Sequence, residues 1–135
     1  MTSATPSLAK SRLDRDDHQL ADRFRALEPA RRRRLACGMV RRALSELPVS
    51  LPPNILGLLG TSGVATPAQL ADLDRRAASS GGALAEADYR RARIVAAARY
   101  ALSPQPRASE EALFEALHAR ASFSVALDEL RHQLD

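Results

Sequence analysis

Residues 28–44 read EPARRRRLACGMVRRAL, and the stretch 31–50 carries six arginines against the single acid Glu46. On a helical wheel Arg31, Arg34, Arg41 and Arg42 fall on one strip. Opposite them lies an apolar half made by Leu35, Ala36, Met39, Val40, Ala43, Leu44 and Leu47. Cys37, Gly38 and Ser45 share the polar side, while Arg32 and Arg33 turn toward the core in the first turn. Four guanidiniums on one strip suit carboxylate or phosphate recognition, because each offers a planar fork of donors. Gly38 would let a partner approach the backbone there. Cations in the first turn of a helix oppose its dipole by about 0.3–1 kcal/mol each, so the strip either answers to something outside the helix or is a solvated face. No aromatic lies on it to stack a base, and no helix-turn-helix spacing precedes it.

A second candidate surface lies further along. Arg91 interrupts the apolar face of Ala87, Ile94, Val95 and Ala98, so that it either pairs inside the fold, with Asp88 for instance, or marks an interface. Tyr89, Arg93 and Tyr100 line up on the opposite side at spacings of four and seven, as a binding ridge or a second packed face.

Metal and nucleophile chemistry find less support. Glu115-x-x-His118 and Glu129-x-x-His132 each put a carboxylate and an imidazole on one helix face, as di-metal carboxylate bundles do. Both lie on one predicted helix, about 21 Å apart by the rise per residue, so one chain cannot bring them to one ion. No metal and no cofactor is expected. Cys37 sits near Arg34 and Arg41, which would lower a thiol pKa, but no histidine is close in sequence to act as a base. GLLGTSG at 57–63 lacks both the Gly-Lys-Ser/Thr ending and the preceding strand of a phosphate loop. No catalytic residue emerges, and no enzymatic activity is expected.

The elements that carry these residues are helices. Apolar positions recur at helical spacing over Ser11–Leu27, 30–47, about 84–102 and from Ser109 onward, and no segment alternates with period two. Thr66-Pro67-Ala68-Gln69 has the form of a capping box opening a further helix, which SSGG at 79–82 closes. Residues 48–66 read as a packed connection with a short helical turn near Asn54–Leu59. The last helix is capped by Ser109 and begins with Glu110 and Glu111, the sign its dipole prefers. Its apolar face shifts near residues 121–124, which implies a kink. Beyond that point Phe123, Leu127, Leu130 and Leu134 form a seam that would either close the bundle in cis or make a homodimer.

The sum is an all-α bundle of five or six helices over 11–135, with a disordered tail at 1–10. The chain has 135 residues, 45% hydrophobic and 27% charged, enough for a sizeable core. A single cysteine excludes an intrachain disulfide. No apolar run reaches membrane-spanning length and the N-terminus lacks a signal-like apolar core, so no membrane association and a cytoplasmic location are expected. Lys10 is the only lysine. Abundant Ala, Arg, Pro and Asp is the usage of a GC-rich, bacterial genome. The net charge of +4 is unevenly spread: 108–135 holds six acids against Arg120 and Arg131, and this tail is expected to neutralise the basic helix.

RLACGMVRRALSELP, followed by an Ala-rich helical pair, resembles all-helical bacterial immunity-type proteins over about 90 residues. Their first helix reads roughly Cys-Ala-x-Arg-Val-Leu-Pro, matched here by Cys37, Val40, Arg41, Arg42, Leu44 and Pro48. Gly38 and the Pro-rich stretch at 51–53 depart from it. The resemblance implies a regulatory protein that binds and blocks a partner. The expected function is non-catalytic protein–protein recognition of an acidic partner through Arg31–Arg42, with Tyr89, Arg91, Arg93 and Tyr100 as further contacts. Nucleic-acid binding by the same strip is the alternative.

Overall fold

The structure, a computed structural model, describes residues 10–80 and 86–135. It is an all-α bundle, with eight helices among the described residues where five or six were expected. All but Lys10 of the expected tail at 1–10, and the last two residues of the expected helix stop at 79–82, lie outside the described residues.

Three local features account for the larger count. The helix expected over Ser11–Leu27 is two, α1 (Arg12–Asp16) and α2 (His18–Arg25). Asp17 separates them with an extended backbone (φ −161°, ψ 103°), and its carboxylate accepts a hydrogen bond from the Leu20 amide at 3.0 Å. A free side-chain cap outweighs continuity of the apolar stripe there. The stripe itself is as expected: Leu13, Leu20 and Phe24 are buried.

α3 (Pro29–Glu46) opens on a proline in its first turn. The connection after it contains a true helix, α4 (Pro53–Thr61), with Ile55 and Leu59 buried. It ends at Ser62 in the left-handed region (φ 57°), and Gly63 donates its amide to the Leu58 carbonyl at 2.9 Å. α5 (Pro67–Ser80) starts as its sequence requires. The Thr66 amide donates to Gln69 Oε1 at 2.8 Å, and the Gln69 amide to Thr66 Oγ1 at 3.1 Å.

After α6 (Glu86–Ala101) the expected last helix is again two, α7 (Ala108–Ala119) and α8 (Phe123–Leu134). Arg120 is extended and Ser122 caps α8 by accepting from the Val125 amide at 3.3 Å, so the expected kink is a break. Ser109 is not the cap of α7. The helix begins two residues earlier than a Ser109 cap would start it, at Ala108 with Arg107 at the N-cap. Glu110 and Glu111 do occupy its first turn.

α7 lies at the centre, packed by α1, α3, α6 and α8. Ala112, Leu113, Ala116 and Leu117 are fully buried, and small alanines let the neighbouring helices close on it. Fully burying a leucine such as Leu113 contributes about 1.5–3 kcal/mol. The seam of α8 joins this core. Leu130 is 0% and Leu127 8% exposed, with Phe123 and Leu134 packed against the same cluster. Those four residues pack within the chain. No helix among the described residues is long and apolar enough to cross a membrane.

Candidate functional site

The acids of 108–135 were expected to neutralise α3; they face mainly other arginines, and among the described residues only Glu129 reaches an arginine of α3, Arg42. Asp14 on α1 and Glu110 on α7 both accept from Arg25, Glu110 at 2.7 Å. Arg107 also donates to Glu110, at 3.0 Å. Hydrogen bonding to Arg25, with the Ser11 amide, holds the Asp14 carboxyl far below the usual carboxylate range despite its burial. Burial works to raise Glu110, but Arg107, Arg25 and Ser11 together leave it below that range as well. Glu115 is taken by Arg93 at 2.8 Å and Arg12 at 3.1 Å, and Glu111 by Arg12 at 2.6 Å. Glu46, on α3 itself, accepts from Arg90 at 2.7 Å and Arg120 at 2.6 Å.

The consequence falls on α3. Among the described residues Arg31, Arg34 and Arg41 have no hydrogen bond and no ion pair, and all three are exposed. Arg42 has one long contact, 3.6 Å to Glu129. These arginines line a groove between α3 and the end of α8. A cavity of about 480 Å³ is walled by Arg34, Arg41, Arg42 and Gln133 over a floor of Leu35, Gly38 and Met39, with Ser45 at one end. A smaller one of about 230 Å³ continues it past Arg31, sharing Arg34, Leu35 and Gln133. No aromatic residue lines either. α3 positions the arginines because Ala36, Cys37, Met39, Val40 and Ala43 bury the opposite flank.

Arg32 and Arg33 do not join the strip. Arg32 reaches back to the last carbonyls of the preceding helix, Arg25 at 3.1 Å and Leu27 at 2.5 Å, where a cation suits the helix dipole. Arg33 has its Nε buried without a partner. Cys37 is also misplaced by the sequence reading. It is 0% exposed rather than at the polar edge, because α4 and Ser62 cover that flank of α3. Burial pushes its thiol up, more than the Ser62 hydrogen bond and the nearby Arg41 and Arg33 pull it down. A buried thiol with a raised pKa is a poor nucleophile.

Gly38 sits in the middle of the groove floor. A Cβ built there would meet only Arg41 Nη2, at 4.0 Å, and its φ is not positive. Neither packing nor backbone geometry requires glycine, which costs a helix interior about 0.8–1.0 kcal/mol relative to alanine.

The other expected contacts do not form one surface. Arg91 leaves the apolar face and pairs with Asp88 at 3.0 Å. Tyr89 is 54% exposed and holds Arg93, whose guanidinium lies 4.9 Å from the ring centroid and donates to the phenol oxygen at 2.7 Å. Arg93 is thus engaged within the chain. Tyr100 packs against the core and lines a different cavity from Tyr89. The ridge is divided because Arg93 is drawn toward Glu115 on α7, a pairing between helices that spacing along α6 cannot reveal.

Of the two Glu-x-x-His pairs, Glu115, His118 and Glu129 are engaged, while His132 has no hydrogen bond or ion pair among the described residues. His118 Nε2 lies 3.0 Å from Asp16 Oδ2, between the rings of Phe114 and Phe123, and Glu129 bonds Arg120 at 2.8 Å. Asp14, His18 and Asp22 place ligand atoms within 4.8 Å of one another, but Asp14 is already held by Arg25 and by the Ser11 amide at 2.6 Å. No family model, no curated protein and no solved structure matches this chain. The likeness to immunity-type proteins therefore rests on the residues quoted for it.

Proposed function

We propose that this chain is a non-catalytic binding module that recognises an acidic protein through the groove between α3 and α8. One observation carries the reading: Arg31, Arg34 and Arg41 line that groove and, among the described residues, no acid of the chain pairs with them, although most other arginines are paired. Unpaired guanidiniums on a rigid helix are preorganised for carboxylates, and their uncompensated field speeds encounter with an acidic surface. Leu35, partly exposed in the groove, gives an incoming segment apolar contact between its charges. Nucleic acid would meet the same cations. The absence of stacking groups favours side chains over a strand of bases. A partner-blocking role is also what the immunity-type resemblance implies.

Fluorescence anisotropy of a labelled Glu-rich peptide and of labelled single-stranded and duplex DNA and RNA, across a salt series, tests the reading. Peptide binding that is abolished in Arg34→Glu/Arg41→Glu, with weaker nucleic-acid binding, supports it. Nucleic-acid binding tighter than peptide binding would refute it, if it falls with salt by roughly one log–log unit per phosphate contact.

A further inference from the structure

We propose that the groove takes an α-helix of the acidic partner, with an apolar side chain seated over Gly38 between carboxylates held by Arg34 and Arg41. The inference rests on the acidic-partner reading and adds the shape of what is bound. Arg31, Arg34, Gly38, Arg41 and Ser45 succeed one another along α3 at spacings of three, four, three and four. That is the seam of a helix made to run beside another helix at a small crossing angle, each knob entering a hole on the facing side. The seam extends over about 21 Å, four turns, by the rise per residue. Everywhere on it the side chain is polar, and its centre has none.

Gly38 has no internal reason to be glycine. Nothing among the described residues occupies the space its Cβ would take; the nearest atom is Nη2 of Arg41, at 4.0 Å. What the missing side chain provides is depth in the groove, flanked by Leu35 and Met39. A knob entering there is apolar, and its neighbours one turn to either side meet Arg34 and Arg41. An extended segment would repeat its like-facing side chains at about 6.6–6.8 Å. The arginines that flank Gly38 are seven residues apart, about 10.5 Å, the distance over which a helix repeats its heptad position.

Titration calorimetry with synthetic helical peptides of roughly 20 residues on an Ala/Gln background tests this. The matched probes carry Glu, Glu, Leu and Glu at spacings of three, four and three, in that order and reversed to allow either helix direction. A control of the same composition has the leucine on the opposite face. The expected result is binding of a matched probe, weakened at least about tenfold by moving the leucine and by Gly38→Leu, and less by Gly38→Ala. Circular dichroism establishes that both variants keep the helical fold. If Gly38→Leu and the displaced leucine leave affinity unchanged while Arg34→Glu/Arg41→Glu abolishes it, the seated helix is wrong and the acidic-partner reading stands. If no acidic peptide binds the wild-type chain, both fall.

Discussion

Replacing Arg25 by methionine removes the guanidinium shared by Asp14 and Glu110, whose side chains are only 2% and 4% exposed. Methionine keeps much of the volume, so the change isolates the charge. Breaking a buried ion pair from one side costs about 3–5 kcal/mol, because the remaining charge is left uncompensated. The lower end applies here. Glu110 retains Arg107, and Asp14 retains the Ser11 amide and His18 at 3.0 Å. We expect about 3 kcal/mol at neutral pH, or a melting temperature lower by about 10 °C for a chain of this size. The pH dependence supplies a sign. In the wild type Asp14 is depressed in the folded state, so its contribution is complete above its unfolded value, near pH ~4, and is lost as pH falls through the folded value. In the variant the stranded carboxylate is raised and takes up a proton early. The deficit should therefore shrink to about 1 kcal/mol as pH falls toward about 3. Urea unfolding followed by far-UV circular dichroism at several pH values measures it. A deficit below about 1 kcal/mol at neutral pH that does not change with pH would refute the reasoning.

Further outcomes follow from single contacts. Gly38→Ala should stabilise the chain by about 0.5–1 kcal/mol in a thermal melt, since the added methyl meets only Arg41 at 4.0 Å. Cys37 should react with a thiol reagent at least about 100-fold more slowly in the native chain than in denaturant, because it is fully buried. Leu130→Ala should cost about 2–5 kcal/mol. Because the seam closes in cis, wild type and Leu130→Ala should each melt at a temperature independent of protein concentration; a seam between two copies would make it rise with concentration.

What could be read from the sequence, and what could not, divides along a physical line. Periodicity gave the helical class, and local chemistry fixed the ends where one residue does the work, as at Thr66 with Gln69 and at Pro29. The exposure of Arg31, Arg34, Arg41 and Arg42 was likewise readable, because an apolar half-wheel decides which side faces water. One break escaped. Asp17 caps a new helix inside a stripe whose apolar spacing barely changes across it, so periodicity masks it, whereas the shift of the apolar face near 121–124 did mark the break at Ser122, as a kink. Cys37 escaped because α4 covers a flank of α3 that its own wheel labels polar. The pairing of Arg93 with Glu115, and of Arg25 with Asp14 and Glu110, depends on which helices meet. No spacing within one helix encodes that. The groove became a candidate site only once those pairings had left Arg31, Arg34 and Arg41, among the described residues, without an acid.

The most direct test of that claim is one variant read in two ways: Arg34→Glu/Arg41→Glu, melted alone and titrated with the matched acidic peptide. Because neither arginine has a partner among the described residues, stability should stay within about 0.5 kcal/mol of wild type while peptide affinity falls at least about thirtyfold. A loss of several kcal/mol in stability, or an affinity that does not change, would mean that the strip serves the fold or solvent and not a partner.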